Sequence, residues 1–131
     1  MNSLDKMNEK FSIKKRLKSF VFAWAGILVL LKEEHNARIH LAATIIVIFL
    51  GVWLNISKNE WGLIVLSLGG VWGMESINSA IENLADFISP EKHDKIKKIK
   101  DLSAAAVLFC AIAAATVGVI VFLPKLLMKM N

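Results

Sequence analysis

Apolar residues at Leu17, Phe20, Val21, Trp24, Ile27, Leu28 and Leu31 recur at helical spacing, and Lys14, Lys15, Arg16 and Lys18 crowd the start of that run. The pattern predicts an amphipathic helix over about residues 12–32 lying on a membrane surface, with a helix packed on the chain's own core as the competing reading. Ile39 to Ile56 is then apolar apart from His40, Thr44 and Asn55. With its flanks it approaches the length that crosses about 30 Å of hydrocarbon, which predicts a first spanning helix over about 36–56. The short polar turn Asn55 to Asn59 follows, with Trp61 placed as an interfacial anchor. From Trp61 to Met74 the chain is again apolar save for Ser67. The helical pattern continues through Glu75, Asn78, Glu82 and Asp86, predicting a second span over about 60–88. Ser89 to Lys100 carries Pro90 and five lysines and reads as a solvated loop. Leu102 to Leu123, rich in Ala and Val, predicts a third span over about 101–124, with Pro124 as its end.

Composition agrees with this reading. In 131 residues, 56% are hydrophobic and only two are Pro, an apolar excess that a short soluble domain could not cover and that excludes disorder. The fold class expected is therefore an all-α membrane protein, an N-terminal amphipathic surface helix plus three transmembrane helices, in one domain over 1–131 without repeats. Sixteen Lys and Arg against eleven Asp and Glu give a net charge of +5, which suits nucleic acid or an anionic membrane. The apolar excess selects the bilayer, and no nucleic-acid partner is expected. Residues 1–16 are polar and basic without the apolar core of a secretory leader, so the mature chain is expected to begin at Met1. Of the basic residues, eight fall at or before the start of the first span, one in the first loop, five between the second and third spans, and two beyond. The positive-inside rule then expects the N-terminus and the lysine-rich loop in the cytoplasm. The single Cys110 sits in an apolar run and reads as a packing residue, with no disulfide and no structural zinc expected.

The acids on the second span need their own explanation. At 100° per residue from Glu75, Asn78 lies at about −60°, Ser79 at about +40°, Glu82 at about −20° and Asp86 at about +20°. All five share one stripe, and Ile77, Ile81 and Leu84 occupy the opposite face. Carboxylates within a spanning segment are costly and mark functional sites by default, the bland alternative being hydrogen bonds between helices. Glu75 is the deepest. Glu82 lies nearer the cytoplasm, where Glu34, just before the first span, can meet it and supply hard oxygen ligands for Mg²⁺ with a nucleotide. A carboxylate buried above that pair suits proton transfer from a lipid hydroxyl. The lysine run, Glu91 and His93 read as topology signal and solvated loop when taken alone. His35 and His40 lack a metal-ligand partnership. Gly69 and Gly73 form a GxxxG that favours close helix packing. No Walker A, GxGxxG or protein-kinase signature occurs.

The runs ESINSAIE (Glu75 to Glu82), Asp86, KDLSAAAV (Lys100 to Val107), KSF (Lys18 to Phe20), Gly26 and EEHNARIH (Glu33 to His40) resemble the prokaryotic diacylglycerol kinase and undecaprenol kinase family, over Arg16 to Leu123. The resemblance implies a homotrimeric membrane kinase, with active sites shared between subunits, transferring the ATP γ-phosphoryl group to a lipid alcohol. It implies Glu75 as catalytic base and Glu34 and Glu82 as Mg²⁺ ligands. Arg16, Phe22, Glu34, Glu82, Glu91, His93, Lys100 and Asp101 become nucleotide contacts, with Asn78, Asp86 and Arg38 in support. Phe22 stands where many relatives have Tyr, so a nucleotide contact there would use the ring. Ala104 replaces a Ser of the best-known diacylglycerol kinases. The EEHNARIH run resembles the undecaprenol kinase branch, which favours a polyprenol acceptor. Outside the kinase reading, a proton-coupled transporter or a non-catalytic scaffold could also use intramembrane acids.

Overall fold

The computed structural model describes residues 12–130. The expectations for residues 1–11 lie outside them. Four helices follow in order: α1 Ile13–Glu33, α2 His35–Trp53, α3 Lys58–Ile88 and α4 Asp94–Met130. The last three are long and apolar enough to cross a membrane. The all-helical expectation with three candidate spans therefore holds.

Ser12 begins α1 by accepting from the Lys15 N–H at 3.4 Å, satisfying one of the donors a helix start leaves open. Within α1 only Leu30 is buried. The apolar stripe of Leu17, Phe20 and Trp24 stays exposed, so the reading that packs it on the chain's own core is not realised. A single residue, Glu34, separates α1 from α2, with extended backbone at φ −101° and ψ 120°. Arg38 clamps this corner from α2, its guanidinium donating to the Leu31 carbonyl at 2.9 Å and to the Lys32 carbonyl. The last turn of α1 is thereby tied off.

At the far end α2 closes through Asn55, whose φ of 52° is the left-handed conformation that commonly stops a helix. The Ile56 N–H returns to the Gly51 carbonyl at 3.1 Å. Ser57 and Glu60 then start α3 with a reciprocal capping box. Beneath this turn Ile56, Ile64, Val121 and Phe122 form an apolar cluster, flanked by Leu50, Trp61 and Leu126. Trp61, expected as an interfacial anchor, turns its indole onto α2, where a Cβ added at Gly51 would lie 2.7 Å from the ring. Gly69 and Gly73 behave otherwise, since a Cβ at either meets no atom within 4 Å. The close packing expected of their GxxxG is not made among the described residues.

Two boundaries differ from the expectation. Helix α4 begins at Asp94, so Lys100 and Asp101 sit nearly two turns inside it and do not open it. Ile96 and Ile99 lie at helical spacing within the lysine run, and Asp94 places an acid in the first turn, where it favours the helix dipole. The solvated loop shrinks to the residues around Pro90. Pro124 does not end α4, which continues to Met130. Proline removes one backbone bond, but Lys125 pairs with Glu60 of α3 at 3.3 Å and Leu126 packs on the apolar cluster, holding the following turns in place. Lys129 adds a cation–π contact, 4.1 Å from the Trp53 ring centroid.

The contact of α2 with Trp61 leaves no room for a methyl group. Gly51→Ala is expected to cost about 1–3 kcal/mol by overpacking, read as a lowered Tm in detergent micelles. Gly62→Ala, which meets no atom within 4 Å, is expected to stay within about 0.5 kcal/mol of wild type. An unchanged Tm for Gly51→Ala would contradict this packing.

Candidate active site

The polar stripe of α3 faces inward, as its helical phase requires. Among the described residues Glu75, Asn78 and Ser79 are the buried polar ones, and Glu75, at 1% exposure, is the largest fully buried side chain. Ile77 and Leu84, on the other face, are more than half exposed. Polar inside and apolar outside is the arrangement a membrane imposes on a helix carrying acids.

Glu34, Glu82, Asp86 and Asp101 are each held by a neighbour on a different turn or helix. The Ser79 hydroxyl donates to Glu34 Oε1 at 3.1 Å, bringing the α1–α2 corner onto α3. The Asn78 amide donates to Glu82 Oε1 at 3.0 Å and accepts from the Ser103 hydroxyl of α4 at 2.6 Å. Lys100 of α4 reaches back to both oxygens of Asp86, at 2.9 and 3.1 Å. Lys97 pairs with Asp101 one turn along the same helix. His40 Nε2 lies 3.8 Å from Glu75 Oε2.

Two clefts border this network. A cleft of about 290 Å³ is lined by Asn36, His40, Glu75, Asn78, Glu82 and Ala104, with Val107, Leu108 and Ala111 closing its apolar wall. A wider one of about 490 Å³ lies at the α3–α4 turn, among Asp86, Glu91, His93, Lys97, Lys100 and Asp101. The His93 ring accepts from the Lys95 N–H at 3.1 Å, bracing the start of α4. Of the residues singled out in the sequence, Glu75, Asn78 and Glu82 share the first cleft, and Glu91, His93, Lys100, Asp101 and Asp86 share the second. Glu34 joins the network through Ser79. Arg16 and Phe22 line neither cleft, and Phe22 is exposed on α1. Arg38 faces the α1 carbonyls.

The donor set decides which metal could bind. Among the described residues no group of three or more His, Cys, Asp or Glu is arranged around a metal position. Glu34 and Glu82 each accept one hydrogen bond, from Ser79 and Asn78. Carboxylate oxygens are the hard ligands that Mg²⁺ takes, one or two from protein with phosphate oxygens and water. Three polar residues of the site went unassigned in the sequence. Ser103 orients Asn78, and Thr44 and His40 form a polar turn on α2, where the Thr44 hydroxyl donates to the His40 carbonyl at 2.7 Å. The available signal was an i, i+4 polar pair inside an otherwise apolar run.

Comparisons with known proteins identify the family. Residues 21–122 match the family described as prokaryotic diacylglycerol kinase. The chain is 37% identical over 126 residues to a Bacillus subtilis protein named undecaprenol kinase, covering 96% of this chain and 100% of that one. It is 35% identical over 115 residues to a diacylglycerol kinase of Synechocystis, covering 87% of this chain and 66% of the relative. Against the Escherichia coli K12 diacylglycerol kinase it is 30% identical over 98 residues, 75% of this chain and 80% of that one. A match spanning all of α2 and α3 and most of α4, with inward acids on α3 tied to both neighbouring helices, means that the chain belongs to the prokaryotic diacylglycerol kinase family.

Proposed function

We propose that this protein is an ATP- and Mg²⁺-dependent lipid kinase that transfers the γ-phosphoryl group to the hydroxyl of a membrane lipid alcohol. The observation that carries the reading is Glu75, a carboxylate 1% exposed in a helix able to span the membrane, bordering a cleft shared with Glu82. Family membership supports the same chemistry. Undecaprenol is favoured over diacylglycerol as acceptor. The relative aligned along its whole length is named undecaprenol kinase, and Ala104 offers the cleft no hydroxyl for a second polar group on the acceptor.

In this mechanism Glu75 accepts the proton of the acceptor hydroxyl as its oxygen attacks the γ-phosphorus. Asn78, held between Ser103 and Glu82, fixes the Glu82 carboxylate. Ser79 does the same for Glu34. Glu34 and Glu82 would hold Mg²⁺, which when bound neutralises phosphate charge and helps orient the nucleotide. Glu91, His93, Lys100 and Asp101 line the cleft for the rest of ATP, and Asp86 holds Lys100 in place. Arg16 and Phe22, on α1, would reach the nucleotide only through an assembled site. The homotrimer implied by the family resemblance provides one. Wide apolar faces on α2 to α4 and the uncovered Gly69 and Gly73 support further helix packing.

The lysines at the α3–α4 turn and in the first turns of α4, beside the nucleotide cleft, support a multi-pass protein of the bacterial cytoplasmic membrane with its N-terminus in the cytosol, where ATP is found. A conduit reading is less favoured. Beyond Glu75 the space between α2, α3 and α4 is walled mainly by apolar residues such as Val47, Ile64, Val71 and Phe122, with His40, Thr44 and Ser67 its polar groups, which would give a solute or proton few polar steps.

Two substitutions test the assignment. Glu75→Gln keeps the side-chain shape but loses the proton acceptor, so lipid phosphorylation is expected to fall by about 10²–10⁴-fold with Tm unchanged. Wild-type turnover in that variant would remove Glu75 as the base. Glu82→Gln is expected to raise the Mg²⁺ concentration for half-maximal rate by at least the ~10-fold that losing an outer metal partner costs. An unchanged Mg²⁺ requirement would take Glu82 out of the metal site.

A further inference from the structure

We propose that the corner where the end of α4 meets the turn between α2 and α3 binds the phosphate of an anionic phospholipid headgroup. A cleft of about 350 Å³ opens there, lined by Trp53, Leu54, Asn55, Lys125, Met128 and Lys129. It lies at the opposite end of the bundle from the acid stripe, and the proposal is independent of the kinase reading. Lys125 and Lys129 stand four residues apart on α4, so both side chains leave the same face of the helix.

Both lysines are held in place with donors to spare. Lys125 Nζ pairs with Glu60 Oε2 at 3.3 Å. That oxygen also accepts the Ser57 N–H at 2.6 Å, within the capping box that starts α3. An ammonium group carries three N–H donors, and a single carboxylate oxygen leaves the others for a ligand. Lys129 Nζ stands 4.1 Å from the Trp53 ring centroid and pairs with no acid among the described residues. Two lysines against Glu60 leave the corner with one net positive charge, the complement of a phosphodiester monoanion. Asn55, whose φ of 52° marks the turn, adds an amide to the same cleft.

The position of the cleft selects a lipid over a free anion. Trp53 ends α2, one of the three helices long and apolar enough to cross a membrane. The cleft therefore falls at the level of the headgroups, where Trp rings and the ammonium ends of lysines settle. Leu54 and Met128 make its lining partly apolar. Phe49, one turn before Trp53 on the same face of α2, is exposed and offers acyl chains a surface below the headgroup. A headgroup held by Lys125, Lys129 and Asn55 joins the end of α4 to the α2–α3 turn, so its binding stabilises the folded chain by mass action.

The test uses the full chain in uncharged detergent, titrated with phosphatidylglycerol, phosphatidylcholine or inorganic phosphate. Bound lipid is counted by native mass spectrometry, and Tm is recorded alongside. Wild type is expected to bind phosphatidylglycerol in preference to phosphatidylcholine, with a rise in Tm, and inorganic phosphate is expected to change neither reading. Lys129→Gln is expected to weaken one bound phosphatidylglycerol per chain about fivefold, the share of one basic group at an anionic membrane surface, with a smaller rise in Tm. Lys129→Arg keeps the charge and the ring contact and is expected to bind as wild type does. Lys58→Gln removes the same charge from the exposed start of α3, outside the cleft, and is also expected to match wild type. Equal binding of the two lipids, equal effects of Lys129→Gln and Lys58→Gln, or an Arg variant no better than Gln would overturn the site. Displacement of the lipid by inorganic phosphate would mean a free-anion site, and an altered assembly mass in Lys129→Gln would mean a contact between copies; either result also overturns the proposal.

Discussion

A carboxylate taken out of water into an apolar helix bundle costs several kcal/mol unless partners offset it, and the arrangement of this chain turns on how Glu75 is accommodated. Its helix is apolar on the outer face and polar on the inner one. Around that inner face the neighbouring elements contribute one polar group each: Glu34 from the corner between α1 and α2, His40 from α2, Ser103 from α4. Asn78 and Ser79, which bond to Ser103 and Glu34, are themselves buried. The network is thus the link that holds three elements in register at the end of the bundle where the lysines gather. Glu75 Oε2 itself is buried without a hydrogen-bond partner among the described residues.

The opposite end is built from different material. There Ile56, Ile64, Val121 and Phe122 bury apolar surface, and the charges, Glu60 with Lys125 and Lys129 over Trp53, sit at the rim. Contacts of this kind fix the hairpin between α2 and α3 and carry α4 past Pro124. In a bilayer, apolar contact alone gives little drive for helix association, because lipid is as apolar as Leu. Close approach matters more, and Gly51 beneath the Trp61 ring supplies it. A rigid outer end and a polar inner end divide the labour, with packing setting the geometry in which Glu75 and His40 face each other.

Much of this was legible in the residues. The three apolar runs marked the spans, and the helical phase of Glu75, Asn78, Ser79 and Glu82 put them on one inward stripe. The lysine run misled because charge obscured Ile96 and Ile99, whose spacing continues α4 back to Asp94. Pro124 misled because local backbone chemistry said stop while Leu126 and Lys125 had tertiary partners that the linear sequence does not display. His40 was hidden for a related reason. A lone histidine in an apolar run has no motif, and its approach to Glu75, 35 positions away and on another helix, is not written in the linear sequence. Arg38, legible as a basic residue near the site, turned out to tie off the end of α1.

The central claim is that the buried acid stripe serves phosphoryl transfer to a lipid alcohol. Its most direct test is to supply the wild-type protein with γ-labelled ATP and Mg²⁺ in micelles containing either undecaprenol or diacylglycerol, and to count label in the extracted lipid. The account predicts labelled lipid phosphate, more of it from undecaprenol than from diacylglycerol. Folded protein that leaves both lipids unlabelled would contradict it.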